Sequence, residues 1–303
     1  MRIAVTGASG FIGTELLGEL EKSKGIEVTA ITRGGSARAD SPFCTWKETD
    51  WSADNLTEAL DGADAVIHLA GVRGTTSDRE DYAVNMEMTQ NLLEAMAKAG
   101  TKRIVFASTI SVYDDEDEIP WKEDSTLKGR TAYGESKISC ERLIQEYAAK
   151  NGFTCGIVRI AQVLGEGEKR RGMMNVFIDT AASGGVLRVI GKSEAKRQYI
   201  YVKDLAKILA WLAAGKGGFD DGKNIIVNAG MPEAYTNLEI ARIVNKVYGN
   251  ATPIDYDDSS SETIRPSNMD ISRLKKLGYI PLVMEEALCE MKMSSDITGT
   301  AGQ

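Results

Sequence analysis

The first half of the chain alternates short apolar runs with longer segments in which apolar residues recur at the helical period. Six runs predict strands: RIAVT (2–6), IEVTAIT (26–32), a weaker FCTWKE (43–48), DAVIHLAG (64–71), KRIVFAST (102–109) and FTCGIVRI (153–160). Four segments predict helices: about 11–24, 53–62, 81–100 and 133–152. Apolar strands flanked by helices indicate a parallel sheet covered on both faces. The predicted fold class is a doubly wound α/β sheet, which binds ligands beyond the carboxyl ends of its strands.

The pattern loosens after about residue 160. Long polar connections cover 165–175 and 257–268, and they separate four predicted elements: strands at 198–202 and 224–230, and helices at 237–249 and 284–293. We therefore expect a dinucleotide-binding domain with the catalytic residues over 1–160 and a smaller, mainly substrate-binding lobe over 161–292. The last segment, 293–303, has too little apolar content to pack and is expected to be a flexible tail.

Composition and charge narrow the class of partner. Acidic residues number 44 against 36 basic ones, which argues against a nucleic-acid backbone or an anionic membrane surface as the partner. No apolar run approaches the roughly 20 residues that span a bilayer, and we expect a soluble, cytoplasmic protein. The four scattered cysteines are each expected to be buried and reduced. With a single histidine, His68, a multi-histidine metal site is excluded, and no metal site is predicted.

Three glycines at the end of the first strand suggest a phosphate-binding turn. Gly7, Gly10 and Gly13 occur in TGASGFIG, between a predicted strand and a predicted helix. Glycines in this context let the backbone approach a pyrophosphate at the helix N-terminus, and a merely structural turn is the alternative. The second strand ends in Thr32 and Arg33 without the carboxylate that would bind the ribose of NAD. This favours NADP over NAD, unless Arg33 is simply a solvated loop residue.

The segment YGESK carries the candidate chemistry. Tyr133 and Lys137 are four residues apart and share one helix face. A free tyrosine has a pKa near 10, and a neighbouring ammonium makes a tyrosine a better base by stabilising the phenolate. The hydroxyls of Ser108, Thr109 and Ser111 lie at the carboxyl end of a predicted strand, at the sheet edge where a ligand should bind.

Taken in order, TGASGFIG, HLAG (68–71), STISVY (108–113) and YGESK resemble the N-terminal signatures of one family. The chain resembles an extended short-chain dehydrogenase/reductase of the NAD-dependent epimerase/dehydratase family, to about residue 290. The resemblance implies that Thr109 hydrogen-bonds the reacting oxygen, Tyr133 is the acid/base, and Lys137 holds the nicotinamide ribose and tunes Tyr133. It implies that Asn85 supports the active site, with a solvated helix residue as the alternative. The implied cofactor-binding residues are Gly7, Gly10, Phe11, Ile12, Gly13, Thr32, Arg33, Asp50, Trp51, Leu69, Ala70, Gly71, Tyr133 and Lys137.

The second half matches the same family. KRQYIYVKDLA and TIRPSNMDIS resemble segments whose arginines, here Arg197 and Arg265, contact a substrate diphosphate, and Tyr201 replaces the usual histidine. The resemblance thus implies a nucleotide-diphosphate sugar as substrate, and a homodimer. The remaining implied substrate-binding residues are Ser108, Ser111 and Gln162.

Two departures from the family pattern concern substrate choice. Gln162 stands where the family has an asparagine, and Asp114 stands where it often has a glycine, at the start of the acidic segment DDEDE.

Several reactions fit this resemblance. A 4-epimerase acting through a 4-keto intermediate is the leading hypothesis, and an NADPH-dependent reductase of a 4-keto sugar nucleotide is the alternative. A 4,6-dehydratase is disfavoured because Ile110 and Ser111 stand where an acidic pair is expected. A protein that senses NADP without catalysis is disfavoured by Thr109, Tyr133 and Lys137.

Overall fold

Seven apolar segments pair into one parallel sheet at the centre of the molecule. The computed structural model describes residues 1–73, 78–169, 171–216, 219, 222–259 and 264–300. The strands are β1 Arg2–Thr6, β2 Glu27–Arg33, β3 Cys44–Thr49, β4 Ala65–His68, β5 Arg103–Ala107, β6 Thr154–Ile160, β7 Gln162–Leu164, β8 Arg188–Ile190, β9 Arg197–Tyr201, β10 Ile225–Ala229, β11 Ala234–Tyr235 and β12 Asp255–Asp257. The order in the central sheet is β10-β6-β5-β4-β1-β2-β3, with every pair parallel. The predicted fold class is confirmed.

Helices cover both faces of this sheet. They are α1 Phe11–Glu21, α2 Ala53–Ala59, α3 Ala83–Ala99, α4 Ala132–Asn151, α5 Met173–Ala182, α6 Val202–Ala213, α7 Asn237–Tyr248, α8 Ser272–Lys276 and α9 Met284–Thr300. On one face α1 packs against α6, and on the other α3 packs against both α2 and α4. Leu16 and Leu209 are fully buried in the first layer, and Leu92 and Ile144 in the second. Each such leucine or isoleucine stabilises the fold by about 1.5–3 kcal/mol.

The C-terminal part is not confined to a separate lobe. β10 pairs with β6 along the edge of the central sheet, and α6 completes the layer around α1. The remaining C-terminal elements enclose a third buried cluster, which includes Tyr201, Val244 and Leu288. The division at residue 160 stays a prediction, and the chain after this point contributes to both parts.

Two expectations differ from the structure. The helix α9 runs to Thr300, through most of the predicted tail; residues 301–303 lie outside the described residues. The start of α9 is fixed by Met284 and Leu288, which are fully buried, and extending an existing helix costs less than starting one. Cys289 is exposed, not buried, because it lies on the other face of α9; Cys44, Cys140 and Cys155 are buried.

Candidate functional site

The turn between β1 and α1 brings three glycines into contact with neighbouring backbone. Gly7 has φ +71°, and a Cβ there would lie 2.8 Å from the amide nitrogen of Ala70. A Cβ on Gly13 would lie 2.4 Å from the carbonyl oxygen of Gly7. The first turn of α1 has neither an acidic residue nor a side-chain cap. Its free N–H groups and partial positive charge therefore suit an anion.

A cleft of about 900 Å³, here the first cleft, opens beside this turn at the carboxyl ends of β1 to β4. Predicted cofactor residues lining it are Gly7, Gly10, Thr32, Arg33, Asp50, Trp51, Leu69, Ala70 and Gly71. The backbone of Trp51 has φ +67°, in the left-handed region that residues other than glycine rarely adopt. The buried Nε1 of Trp51 has no hydrogen-bond partner among the described residues. Hydrogen bonds from Ser52 hold the Asp50 carboxylate and lower its pKa. The close-packed glycine turn and the orphaned indole N–H fit a bound dinucleotide.

A second cleft of about 530 Å³ adjoins the first, since Leu69, Gly71 and Arg73 line both. Besides Leu69 and Gly71, this cleft brings together predicted catalytic, substrate-binding and cofactor-binding residues from distant parts of the chain: Ile12, Ser108, Thr109, Ser111, Tyr133, Lys137 and Gln162. Of the other predicted cofactor residues, Phe11 packs against the third buried cluster, and Gly13 packs against the backbone of the turn between β1 and α1. The two clefts together could hold a dinucleotide and a second ligand in contact.

Tyr133 is placed beside Thr109 by a close approach of two backbone segments. Tyr133 lies in the first turn of α4, where the side chain of Thr131 accepts a hydrogen bond from the N–H of Gly134. A Cβ on Gly134 would lie 2.1 Å from the carbonyl oxygen of Ser111, so only glycine permits this contact. Ser111 also donates its N–H to Thr109 Oγ1 at 3.2 Å. The start of α4 is therefore packed directly against the segment that carries the predicted catalytic threonine.

Lys137 is buried one turn further along α4. Its Nζ donates to the carbonyl oxygen of Ala107 at 2.9 Å and lies 4.4 Å from the ring centroid of Phe106. The same nitrogen is 5.9 Å from the centroid of the Tyr133 ring. Among the residues that the structure describes, no carboxylate forms an ion pair with this ammonium, and Lys137 lines the second cleft.

His68 and Asn85 are buried next to the two clefts and form hydrogen bonds with the surrounding protein. His68 is fully buried between the hydroxyls of Thr6 and Thr89, and burial, followed by the charge of Lys137, lowers its pKa to about 3. It is therefore neutral and belongs to the hydrogen-bonded strand ends. Asn85 exchanges two hydrogen bonds with the backbone of Val72. This holds the segment after β4 in place, rather than exposing Asn85 on a solvated helix face.

The two predicted diphosphate-binding arginines line neither cleft. Arg197 donates to Asn237 Oδ1 at 2.7 Å. Arg265 forms ion pairs with Asp114 at 2.8 Å and with Glu116 at 2.5 Å. The acidic segment that departs from the family pattern thus engages one of these arginines directly.

Several residues that line the second cleft were not predicted from the sequence, among them the large or charged side chains of Arg73, Tyr82, Trp121 and Arg130. A buried ion pair that contacts Ser108 was also not predicted. Arg159, on β6, binds the Glu141 carboxylate at 2.8 Å, and their side chains are 2% and 1% exposed. Ser108 donates a very short hydrogen bond to the same carboxylate. A charged residue inside an apolar strand, as in GIVRI, is the signal that could have revealed this pair.

Arg159 extends this network to the C-terminal half. Its Nη1 donates to the Tyr113 hydroxyl and to the carbonyl oxygen of Glu123, each at 2.8 Å. The Tyr113 hydroxyl in turn donates to Asn228, on β10. Burial disfavours the guanidinium, but the hydrogen bonds and charge of Glu141 outweigh it and raise the pKa of Arg159.

Comparisons with known proteins agree with this architecture. The model of the "NAD dependent epimerase/dehydratase family" matches residues 3–230. The chain is 28% identical to a UDP-glucose 4-epimerase of Bacillus subtilis over 314 residues, covering 92% of each protein. The structure of a UDP-N-acetylglucosamine 4-epimerase from Bacillus cereus superposes with a TM-score of 0.85 at 30% identity, covering 97% of this chain and 96% of that one. The structure of MoeE5 in complex with UDP-glucuronic acid and NAD superposes with a TM-score of 0.81 at 26% sequence identity, covering 97% of this chain and 100% of that one.

Among the helices described, none has the length and apolarity to cross a membrane.

Proposed function

Because the chain belongs to the NAD dependent epimerase/dehydratase family, we propose that it is a nucleotide-sugar 4-epimerase. In this proposal the first cleft binds a nicotinamide dinucleotide and the second cleft binds the sugar. The observation that carries the proposal is the convergence of Thr109, Tyr133 and Lys137 in one cleft that adjoins the glycine turn. A hydroxyl, a phenol and an ammonium in contact with a dinucleotide site suit the oxidation and reduction of an alcohol.

The chain's own residues account for binding and proton transfer. The turn at Gly7 would hold the pyrophosphate, and Trp51 would lie against the adenine end. A bound nicotinamide would supply the hydride acceptor and donor at C4, and the 4-keto sugar would turn over in the cleft between the two transfers so that the hydride returns to the opposite face of C4. Tyr133 takes the proton from the C4 hydroxyl and later returns it, while Thr109 hydrogen-bonds the same oxygen. Lys137, whose Nζ lies 5.9 Å from the centroid of the Tyr133 ring, would hold the nicotinamide ribose beside the phenol.

The substrate's diphosphate would be bound by Arg197 and Arg265. Guanidinium groups suit a diphosphate because each offers paired N–H donors. Arg265 is held by Asp114 and Glu116, so the diphosphate would exchange with these carboxylates. The relatives named above are described as acting on, or binding, uridine diphosphate sugars, and we propose the same nucleotide here.

An NMR assay of purified protein tests this function. The protein is incubated with UDP-glucose, UDP-N-acetylglucosamine or UDP-glucuronic acid, with and without added NADPH. We expect the C4 epimer to accumulate without loss of NADPH absorbance, because an epimerase returns the hydride within one cycle. Stoichiometric NADPH loss with a 4-keto sugar nucleotide would identify the reductase instead. If the protein binds NADPH but converts none of these substrates, it would be identified as a sensing protein.

For the finer choice of cofactor we propose NADP(H). Arg33 is exposed at the end of β2 and makes no ion pair within the described part of the chain, while Ser9 and Thr32 bond to each other beside it. The nearby Glu48 carboxylate accepts the N–H of Gly35 through one oxygen, and Glu48 is not among the described residues that line the first cleft. An unpaired guanidinium here suits a 2′-phosphate. The neighbour MoeE5, by contrast, is described with NAD.

Arg33→Ala is expected to weaken NADPH binding by about 1.5–3 kcal/mol, because charge-assisted hydrogen bonds to the 2′-phosphate are lost. NADH affinity should change little. Dissociation constants for both cofactors check this, with Arg142→Ala as the control, since Arg142 is an exposed arginine on α4. Tighter binding of NADH by the unmodified protein, with no effect of Arg33→Ala, would reject NADP.

Location in the cytoplasm and assembly as a homodimer stay predictions of the sequence.

A further inference from the structure

Arg130 lines the second cleft but has no role in the proposed reaction. Its Nη2 is buried and has no hydrogen-bond partner among the described residues. Its Nε donates to Asp114 at 3.2 Å, and its guanidinium carbon lies 5.2 Å from the centroid of the Trp121 ring. The side chain is 19% exposed. The guanidinium is therefore held by its ion pair with Asp114 on one edge and by Trp121 on one face, and its buried Nη2 has an unmet hydrogen bond.

The backbone around Arg130 is fixed to the same frame as the catalytic residues. The N–H of Arg130 donates to the carbonyl oxygen of Ser111 at 2.9 Å, and those of Lys128 and Gly129 donate to Val112. Tyr133 follows three residues later at the start of α4. Arg130 thus has a defined position relative to Thr109 and Tyr133, as a residue that recognises substrate requires.

The charges that line the second cleft are all positive. Arg73, Arg130 and Lys137 line it, and no aspartate or glutamate does so within the residues that the structure describes. This contrasts with the whole chain, in which acidic residues exceed basic ones. Under the proposed function, a neutral hexose would place only hydroxyl groups against Arg130. A carboxylate would give the buried guanidinium nitrogen a charged acceptor.

We propose that Arg130 binds a carboxylate on the sugar, so that the preferred substrate is a nucleoside-diphosphate hexuronate. The inference rests on the proposed function, which puts C4 of the sugar beside Tyr133 and Thr109. The C6 carboxylate of a hexuronate is attached to C5, the carbon next to C4, so it lies close to the reacting centre. The substrate's diphosphate is the competing anion for Arg130, because Arg265, which is assigned to the diphosphate, pairs with the same Asp114 oxygen as Arg130. Arg265 itself does not line this cleft, and UDP alone is therefore one of the probes in the test.

Calorimetry on the cofactor-loaded protein tests the proposal with UDP-glucuronic acid, UDP-glucose and UDP as probes. We expect UDP-glucuronic acid to bind at least about tenfold more tightly than UDP-glucose, the scale of one charge-assisted hydrogen bond. Arg130→Met should bring this ratio close to one without changing the affinity for UDP. Lys128→Met removes a neighbouring exposed cation, which is paired with Asp115 outside the cleft, and should leave the ratio unchanged.

Equal affinity of the unmodified protein for the two sugars would overturn the proposal, whether or not Arg130→Met folds. Equal weakening of all three probes by Arg130→Met would also overturn it, because Arg130 would then bind the diphosphate. Arg130→Lys, which keeps the charge, should retain part of the preference. Since these are binding measurements, a carboxylate preference without C4 epimerisation would reject the proposed function alone. Epimerisation of UDP-glucose without a carboxylate preference would reject Arg130's role alone.

Discussion

Tyr133→Phe is expected to lower turnover by about 100-fold or more, the scale of losing a general acid/base group. The phenol moves the proton of the C4 hydroxyl in the proposed reaction, and phenylalanine keeps the ring but not this proton. Within the described residues the Tyr133 hydroxyl makes no hydrogen bond, although its ring lies 5.9 Å from that of Tyr82. Removing the hydroxyl should therefore leave the fold and the cofactor affinity unchanged.

Steady-state kinetics and cofactor titration on the same preparation check this expectation. Tyr147→Phe is the matched control, because Tyr147 lies on the same helix but packs against the buried cluster that contains Leu92 and Ile144, outside both clefts. Its turnover should stay within about twofold of the unmodified protein, as expected for a group outside the site. Near-normal turnover of Tyr133→Phe would remove Tyr133 from the reaction.

Glu141→Ala is expected to lower the free energy of unfolding by about 3–5 kcal/mol. The substitution leaves the Arg159 guanidinium buried without its carboxylate, and it also removes the acceptor of the Ser108 hydroxyl. A buried charge without a partner cannot recover its lost hydration. The effect is large against the roughly 5–15 kcal/mol by which folded proteins are stable.

Urea denaturation followed by circular dichroism measures this loss. Glu146→Ala is the control, because Glu146 is exposed on the same helix, and its effect should stay within about 0.5 kcal/mol. The double variant Glu141→Leu with Arg159→Met removes both charges and should recover part of the stability. A loss below about 1 kcal/mol for Glu141→Ala would mean that Arg159 gains another partner or water.

Local patterns predicted much of the fold. The strand, glycine turn and helix at residues 2–21 could be read directly, because both the apolar runs and the glycines act on neighbours in sequence. The predicted end of α1 near residue 24 was too late, since the helix ends at Glu21. The partners of β10 could not be read from sequence, because pairing of 225–229 with β6 depends on residues far apart in the chain. The helices α5 and α6 were also not predicted.

In the candidate site, too, local relations between residues could be predicted and contacts between distant segments could not. Tyr133 and Lys137 could be paired from their spacing on one helix face, which is a local relation. Arg265 was expected at a diphosphate, and its ion pairs with Asp114 and Glu116 join segments about 150 residues apart. Arg130 was not predicted, because nothing in LKGRTAYG distinguishes a buried arginine from a solvated one. Its importance depends on burial and on Trp121, and both come from tertiary packing.

The position of β10 at the edge of the central sheet has a consequence for biosynthesis. During translation β6 is complete at Ile160, but its edge partner at 225–229 is made several seconds later, at about 5–20 residues per second. In that interval the nascent chain carries an unpaired parallel edge rich in isoleucine and valine, the kind of surface that pairs with other chains. We therefore expect a fragment that ends between these two strands to aggregate more readily than the full chain.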